Sequence, residues 1–186
     1  MKHIILFIIV LLFANCTEKQ PTKSEQIKAY YNGYKNAKYE HIKDVIADSL
    51  TTVYGDYTST FTPQRYYEQF KWDSIFKPVY ELVAIHQIDD QIIATVTKRS
   101  LKLQFLNNNP MTCRYQFEFT SGNISRIEEL DCNDANWKAW KEGVDILVNW
   151  VKINHPELDG FIHNLSMQGA IDYLKAIELY NNREVN

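Results

Sequence analysis

Met111-Thr112-Cys113-Arg114-Tyr115-Gln116-Phe117-Glu118-Phe119-Thr120 is the stretch whose reading decides the fold. Met111, Cys113, Tyr115, Phe117 and Phe119 alternate with polar residues, a period of two that gives a β-strand one buried and one wet face. Ser121-Gly122-Asn123 follows as a turn sequence, and Ile124–Asp131 reads as the returning strand. Upstream, Leu101, Leu103 and Phe105 alternate with Lys102 and Gln104, and Asn107-Asn108-Asn109-Pro110 turns the chain before Met111. Asp89-Asp90 divides Val79–Ile88 from Gln91–Ser100 in the same way. Four strands joined by short turns need no crossover helix, so the sequence predicts an antiparallel sheet over 79–131.

Helical patterns flank this sheet. Ser24–Ala37 carries Ile27, Tyr30, Tyr31 and Tyr34 on one face, with Ser24 as its N-cap and Gly33 as a mark of close packing. Tyr39–Ala47 reads as a second helix and Leu50–Tyr54 as an edge or returning strand. Gly55–Thr60 reads as a polar loop. Thr62-Pro63 opens a third helix, with Tyr66, Tyr67, Phe70 and Trp72 on its apolar side. After Asp131, Asp134 or Asn136 caps a helix with the stripe Trp137, Trp140, Val144, Leu147, Val148 and Val151, ended by Pro156. A last helical segment runs to about Asn181, broken near Ser166. The expected fold class is α+β: N-terminal helices on a curved antiparallel sheet, plus a C-terminal helical extension over 133–186.

The chain has 186 residues, a net charge of −3 and 45% hydrophobic residues, enough for one compact domain. No stripe of Lys and Arg points to nucleic acid. Twelve Tyr and four Trp mean a large core or a lined pocket. At the N-terminus, Lys2 and His3 precede the apolar run Ile4–Phe13, which is too short to span a bilayer, and Ala14-Asn15-Cys16 follows. Residues 1–16 thus resemble a bacterial lipoprotein signal. That resemblance implies cleavage before Cys16, lipidation of Cys16 and an exported protein anchored to a bacterial membrane. The outer membrane is the expected site, with the domain facing the periplasm or the cell surface. Residues 16–24 read as a tether. Two cysteines remain. If Gly122-Asn123 is the turn, Cys113 and Cys132 lie directly opposite each other, either as a disulfide or as two buried thiols.

Ile27-Lys28-Ala29-Tyr30, Lys38-Tyr39-Glu40-His41-Ile42 and Ile46-Ala47-Asp48-Ser49-Leu50-Thr51 resemble the opening of SnoaL-like proteins of the nuclear transport factor two-like superfamily. Ser121–Asp131 resembles that family's last hairpin. The resemblance covers about residues 25–132 and implies a cone of helices over a curved sheet, with a cavity between the first helix and the concave face. Its members include isomerases, cyclases, dehydratases, binding proteins and catalytically silent scaffolds, so the fold alone decides no activity. Aligned with ketosteroid isomerase by Ala47-Asp48, Tyr30 takes the oxyanion-hole position. The general-base position falls on Tyr54, with Asp56 two residues on, and the second acid falls near Tyr115. A tyrosine is a poor base near neutral pH, so that activity is not supported.

The candidate pocket residues are Tyr30, Tyr34, Trp72, His86, Tyr115 and Phe117. Tyr30 reads as a core tyrosine or an oxyanion donor, and His86 as a boundary histidine or a base. Asp131 reads as a helix cap or a base at the cavity mouth. No metal-ligand spacing, phosphate loop, nucleophile elbow or dinucleotide fingerprint is present, so no cofactor is expected. The first expectation is a lipid-anchored binding module for a small apolar or aromatic ligand. Alternatives are an isomerase- or lyase-like enzyme using His86 or Asp131 with Tyr30, and a structural homodimer joined through the sheet's outer face.

Overall fold

The computed structural model describes residues 20–88 and 91–184. The expected leader, Cys16 and the turn expected at Asp89-Asp90 lie outside them. No helix among the described residues is long and apolar enough to cross a membrane.

Six strands form one sheet: β1 (Ile46–Tyr54), β2 (Tyr57–Phe61), β3 (Val79–Ile88), β4 (Gln91–Arg99), β5 (Met111–Thr120) and β6 (Asn123–Asp131), in the order β2-β1-β6-β5-β4-β3. The meander β3-β4-β5-β6 is antiparallel, while β1 joins β6 in parallel, so the whole sheet is mixed. Three expectations change. Leu50–Tyr54 belongs to an interior strand, because the expected loop after Gly55 is instead the edge strand β2, paired Tyr54↔Tyr57 through Leu50↔Phe61. β2 is exposed or half-buried throughout and carries no apolar alternation to announce it. Ile46 opens β1 rather than closing a helix, since the Ile124 N–H donates to the Val45 carbonyl and draws the chain into the sheet. Leu101–Phe105 is a helical turn, not a strand. The Ser100 hydroxyl accepts from Leu103 N at 3.1 Å and Leu101 N donates to Phe76 O at 2.9 Å, so the chain leaves the sheet at Arg99.

The helices are α1 (Lys23–Lys35), α2 (Tyr39–Lys43), α3 (Pro63–Ser74), α4 (Leu101–Phe105), α5 (Trp137–Asn154) and α6 (Met167–Asn181). Thr22, not Ser24, caps α1 in a reciprocal box with Glu25, so the helix begins inside the expected tether. A Cβ on Gly33 would sit 2.4 Å from Ile42 Cγ1, which shows how closely α1 and α2 approach. Thr62 caps α3 with Pro63 in its first turn, and Asn136 caps α5. Two 3-10 turns, Pro156–Leu158 and Phe161–His163, separate α5 from α6, which Ser166 caps.

Two cores result. The first lies between α1, α2, α3 and the inner face of the sheet, around Ile27, Tyr30, Tyr31, Ile42, Leu50, Tyr66, Ile92 and Phe117. The second gathers Leu147, Val151, Phe161, Tyr173 and Ile177 from the C-terminal helices around Phe76. Buried Asn108 ties the two parts together. Its Nδ2 donates to Leu106 O at 2.7 Å and Asn136 O at 3.2 Å, and its Oδ1 accepts from Asn136 N at 2.7 Å.

Candidate functional site

A cavity of about 200 Å³ opens between α1, α3 and the sheet. Its wall is aromatic: Tyr34 from α1, Tyr54 from β1, Tyr66 and Trp72 from α3, and Tyr80 from β3. Its charges are Asp73 on α3, Lys98 on β4 and Lys102 on α4. No residue beyond Lys102 lines it, so among the described residues the C-terminal helices leave it unplugged.

Behind the wall the phenols are linked. The Tyr66 hydroxyl bonds that of Tyr30 and lies 3.1 Å from that of Tyr34. Tyr80 donates to Asp73 Oδ2 at 2.6 Å. Burial first, and nearby ionisable groups second, push the Tyr30, Tyr34 and Tyr80 phenols well above their ordinary range. Tyr66 is raised by burial too, while its hydrogen bonds with Tyr30 and Tyr34 hold it back.

Lys102 is the unusual member. Its ammonium lies 4.5 Å from the Trp72 ring centroid, 5.3 Å from Phe76 and 5.8 Å from Trp140, and it makes no ion pair among the described residues. Lys102 as a whole is half-buried. Burial pushes its pKa down to about 8; Asp73 opposes this and Lys98 adds to it. Trp72 Nε1 is a buried donor with no acceptor.

The sequence-based candidates divide. Tyr34 and Trp72 line the cavity. Tyr30 sits one layer back, 4% exposed and bonded to Tyr66. Tyr115 and Phe117 lie in the core instead of on the wall: Tyr115 donates to Glu129 Oε2 at 3.1 Å, and Phe117 packs edge-on against Tyr30 and Tyr31. His86 is exposed and outside the cavity. A β-bulge between Leu82 and Ala84 reverses the alternation of β3, so Tyr80, Leu82 and Ile85 pack inward and His86 turns to solvent. Asp131 neither caps a helix nor faces the cavity. Arg114 grips it across the strands with two 3.0 Å bonds from Nε and a further one from a terminal nitrogen, and that pairing lowers its carboxyl pKa. His86, Tyr30 and Asp131 therefore do not converge. Tyr54, at the expected base position, stands at the cavity wall and is 42% exposed.

Sequence reading missed Asp73, Lys98 and Lys102 as site residues. Reading Leu101–Phe105 as a strand hid Lys102 among its polar positions; the serine before that run was the available cue for a helical turn.

Cys113 and Cys132 face each other with Cα atoms 4.0 Å apart and their sulfurs bonded. The register that opposes them begins from a different turn, Thr120↔Asn123, and reaches Arg114↔Asp131 through two shifts. These sulfurs and a Glu129 oxygen form the metal-ligand-type cluster among the described residues, within 4.8 Å of one another. Sulfurs bonded to each other offer no thiolates to a metal.

No protein-family model matches the sequence, and no curated protein is similar to it. Solved structures do share the fold. Bal32a, from a soil-derived mobile gene cassette, aligns with a TM-score of 0.50 at 13% identity, covering 64% of this chain and 93% of its own. TerC, co-crystallised with polyporic acid, aligns at 0.50 and 15%, covering 66% and 97%. An NTF2-like protein from Cytophaga hutchinsonii gives 0.49 and 10%, covering 61% and 92%. At these identities the likeness is one of fold, an α+β cone of helices on a curved sheet. Bal32a and TerC each leave about a third of this chain uncovered.

Proposed function

We propose that this protein is an exported binding module, anchored through a lipid on Cys16, that holds a small aromatic ligand bearing an acidic oxygen. The observation that carries the reading is the Lys102 ammonium, which lines the cavity over the Trp72 ring and makes no ion pair among the described residues. An ammonium with no carboxylate partner at an aromatic wall favours an oxyanion there, through a charge-assisted hydrogen bond. A volume of about 200 Å³ lies below the roughly 300–1,000 Å³ of drug-sized sites, so the ligand is of about one ring. The Cys113–Cys132 bridge is part of the proposal, since it suits an oxidising compartment outside the cytoplasm.

Titration of the whole protein with benzoate, followed by tryptophan fluorescence, tests the binding. Saturable quenching that is lost in Lys102→Met is the expected result; no saturation, or equal quenching in the variant, refutes it. Metabolic labelling with a palmitate analogue tests the anchor, and a label that survives Cys16→Ser removes it.

A further inference from the structure

The aromatic cavity holds two amines and one carboxylate. Lys98 reaches it from β4, Lys102 from α4 and Asp73 from α3, the last holding the Tyr80 hydroxyl at 2.6 Å. A lone cation anchor would need only one of these amines. A lysine packed among aromatic rings, in a cavity that holds a second amine, is instead the arrangement that makes an amine a nucleophile. We propose that Lys102 is a carbonyl-capturing amine: its Nζ condenses with a small aromatic aldehyde held in the cavity and joins it as a Schiff base. The proposal rests on the reading of this cavity as a ligand site and adds a covalent step to it.

The step balances without any further reactant. The lone pair of neutral Nζ attacks the carbonyl carbon, and the π electrons move to the oxygen. A proton from nitrogen reaches that oxygen to give a carbinolamine. A second proton transfer lets the oxygen leave as water, and the C=N bond forms. Nothing is oxidised or reduced. The Tyr80 hydroxyl, which donates to Asp73 Oδ2, stands at the same wall to relay it.

The groups that set the charge of Lys102 come from every side of the cavity: Asp73 on α3, Lys98 on β4, and the phenols of Tyr34, Tyr54, Tyr66 and Tyr80. With its pKa near 8, about a quarter of Lys102 is neutral at pH 7.5, against about one in a thousand for an ordinary lysine. The ring faces of Trp72, Phe76 and Trp140 hold the ammonium form of the remainder. One side chain thus supplies both the cation that attracts an oxygen and the amine that reacts with its carbon.

The test is reductive trapping. The whole protein is incubated with 4-hydroxybenzaldehyde and sodium cyanoborohydride, and labelled lysines are mapped by mass spectrometry over pH 6.5–9.5. Lys102 is expected to label about tenfold faster than any other lysine, with its rate levelling near pH 8. Excess benzoate is expected to block it. In Lys102→Arg, which has no primary amine, the fast adduct is expected to disappear, while benzoate binding is read in the unaltered protein. If benzoate binds and Lys102 labels no faster than surface lysines, the amine proposal falls and the binding reading stands. If neither occurs, both fall. A fast adduct that persists in Lys102→Arg overturns the assignment to this residue.

Discussion

Between pH 8 and pH 11 the stability of this protein is expected to rise and then collapse, for reasons that sit in the cavity and in the aromatic core behind it. Tyr30, Tyr31, Tyr34, Tyr80 and Tyr115 all have phenol pKa values raised well above the ordinary value, with burial the largest cause of each. In the unfolded chain these phenols ionise near pH 10. Above that pH the unfolded state has released protons that the folded state still holds, so stability falls as pH rises. At pH 11 each contributes a loss of about 1 kcal/mol, and five together roughly 5–7 kcal/mol. That is comparable with the whole stability of an ordinary domain, about 5–15 kcal/mol. Lys102 acts with the opposite sign. Its folded pKa of about 8 lies below the unfolded value of 10.5. The unfolded state therefore binds more protons between those limits, and stability rises by at most about 3 kcal/mol before the phenols take over. Urea midpoints measured by far-UV circular dichroism from pH 7 to 11, with tyrosinate absorbance recorded alongside, read both effects. The expected record is a maximum near pH 9, then unfolding and tyrosinate formation in a single step. A gradual growth of most of the tyrosinate signal around pH 10 with the dichroism unchanged would refute the burial argument. A rise below pH 9 that survives in Lys102→Met would refute the assignment to Lys102.

Four further outcomes follow from the packing. Tyr66→Phe removes the hydroxyl that joins Tyr30 and Tyr34, leaves both phenols to find new partners, and lowers stability by about 1–3 kcal/mol in urea melts. Gly169→Ala places a Cβ 1.9 Å from the Asn164 carbonyl oxygen, whereas Gly33→Ala meets the Ile42 side chain at 2.4 Å. Both overpack, by about 1–3 kcal/mol or more, and thermal melts will show the larger loss at Gly169, where backbone has to move. Replacing Cys113 and Cys132 together by Ala opens a loop spanning a sequence separation of 19 and costs about 3 kcal/mol, visible as a lower urea midpoint that reductant no longer shifts. His86→Ala, on the exposed face of β3, leaves stability within about 0.5 kcal/mol and benzoate binding unchanged.

The sequence by itself determined those elements whose signal is local. The period of two in β5 buries Met111, Cys113, Tyr115 and Phe117 as read, because alternation along a strand is a property of the backbone and needs no partner to be seen. Thr62-Pro63 opens its helix for the same reason, and of the two caps read for α5, Asp134 and Asn136, the second does: a cap bonds N–H groups two or three residues away. Where two local readings compete, only tertiary contacts chose. Leu101–Phe105 satisfies a short strand and a helical turn equally well, and its amide bond to the Phe76 carbonyl, from a distant segment, chose the turn. The bulge in β3 turned His86 outward through its pairing with β4, at a place where Leu82, Val83 and Ala84 give no cue of their own. The cavity is tertiary in full. Asp73, Tyr80, Lys98 and Lys102 belong to four elements, and each taken alone is an ordinary polar residue. What makes Lys102 unusual is the set of aromatic rings around its amino group, and only the convergence of α3, α4 and α5 brings Trp72, Phe76 and Trp140 to it.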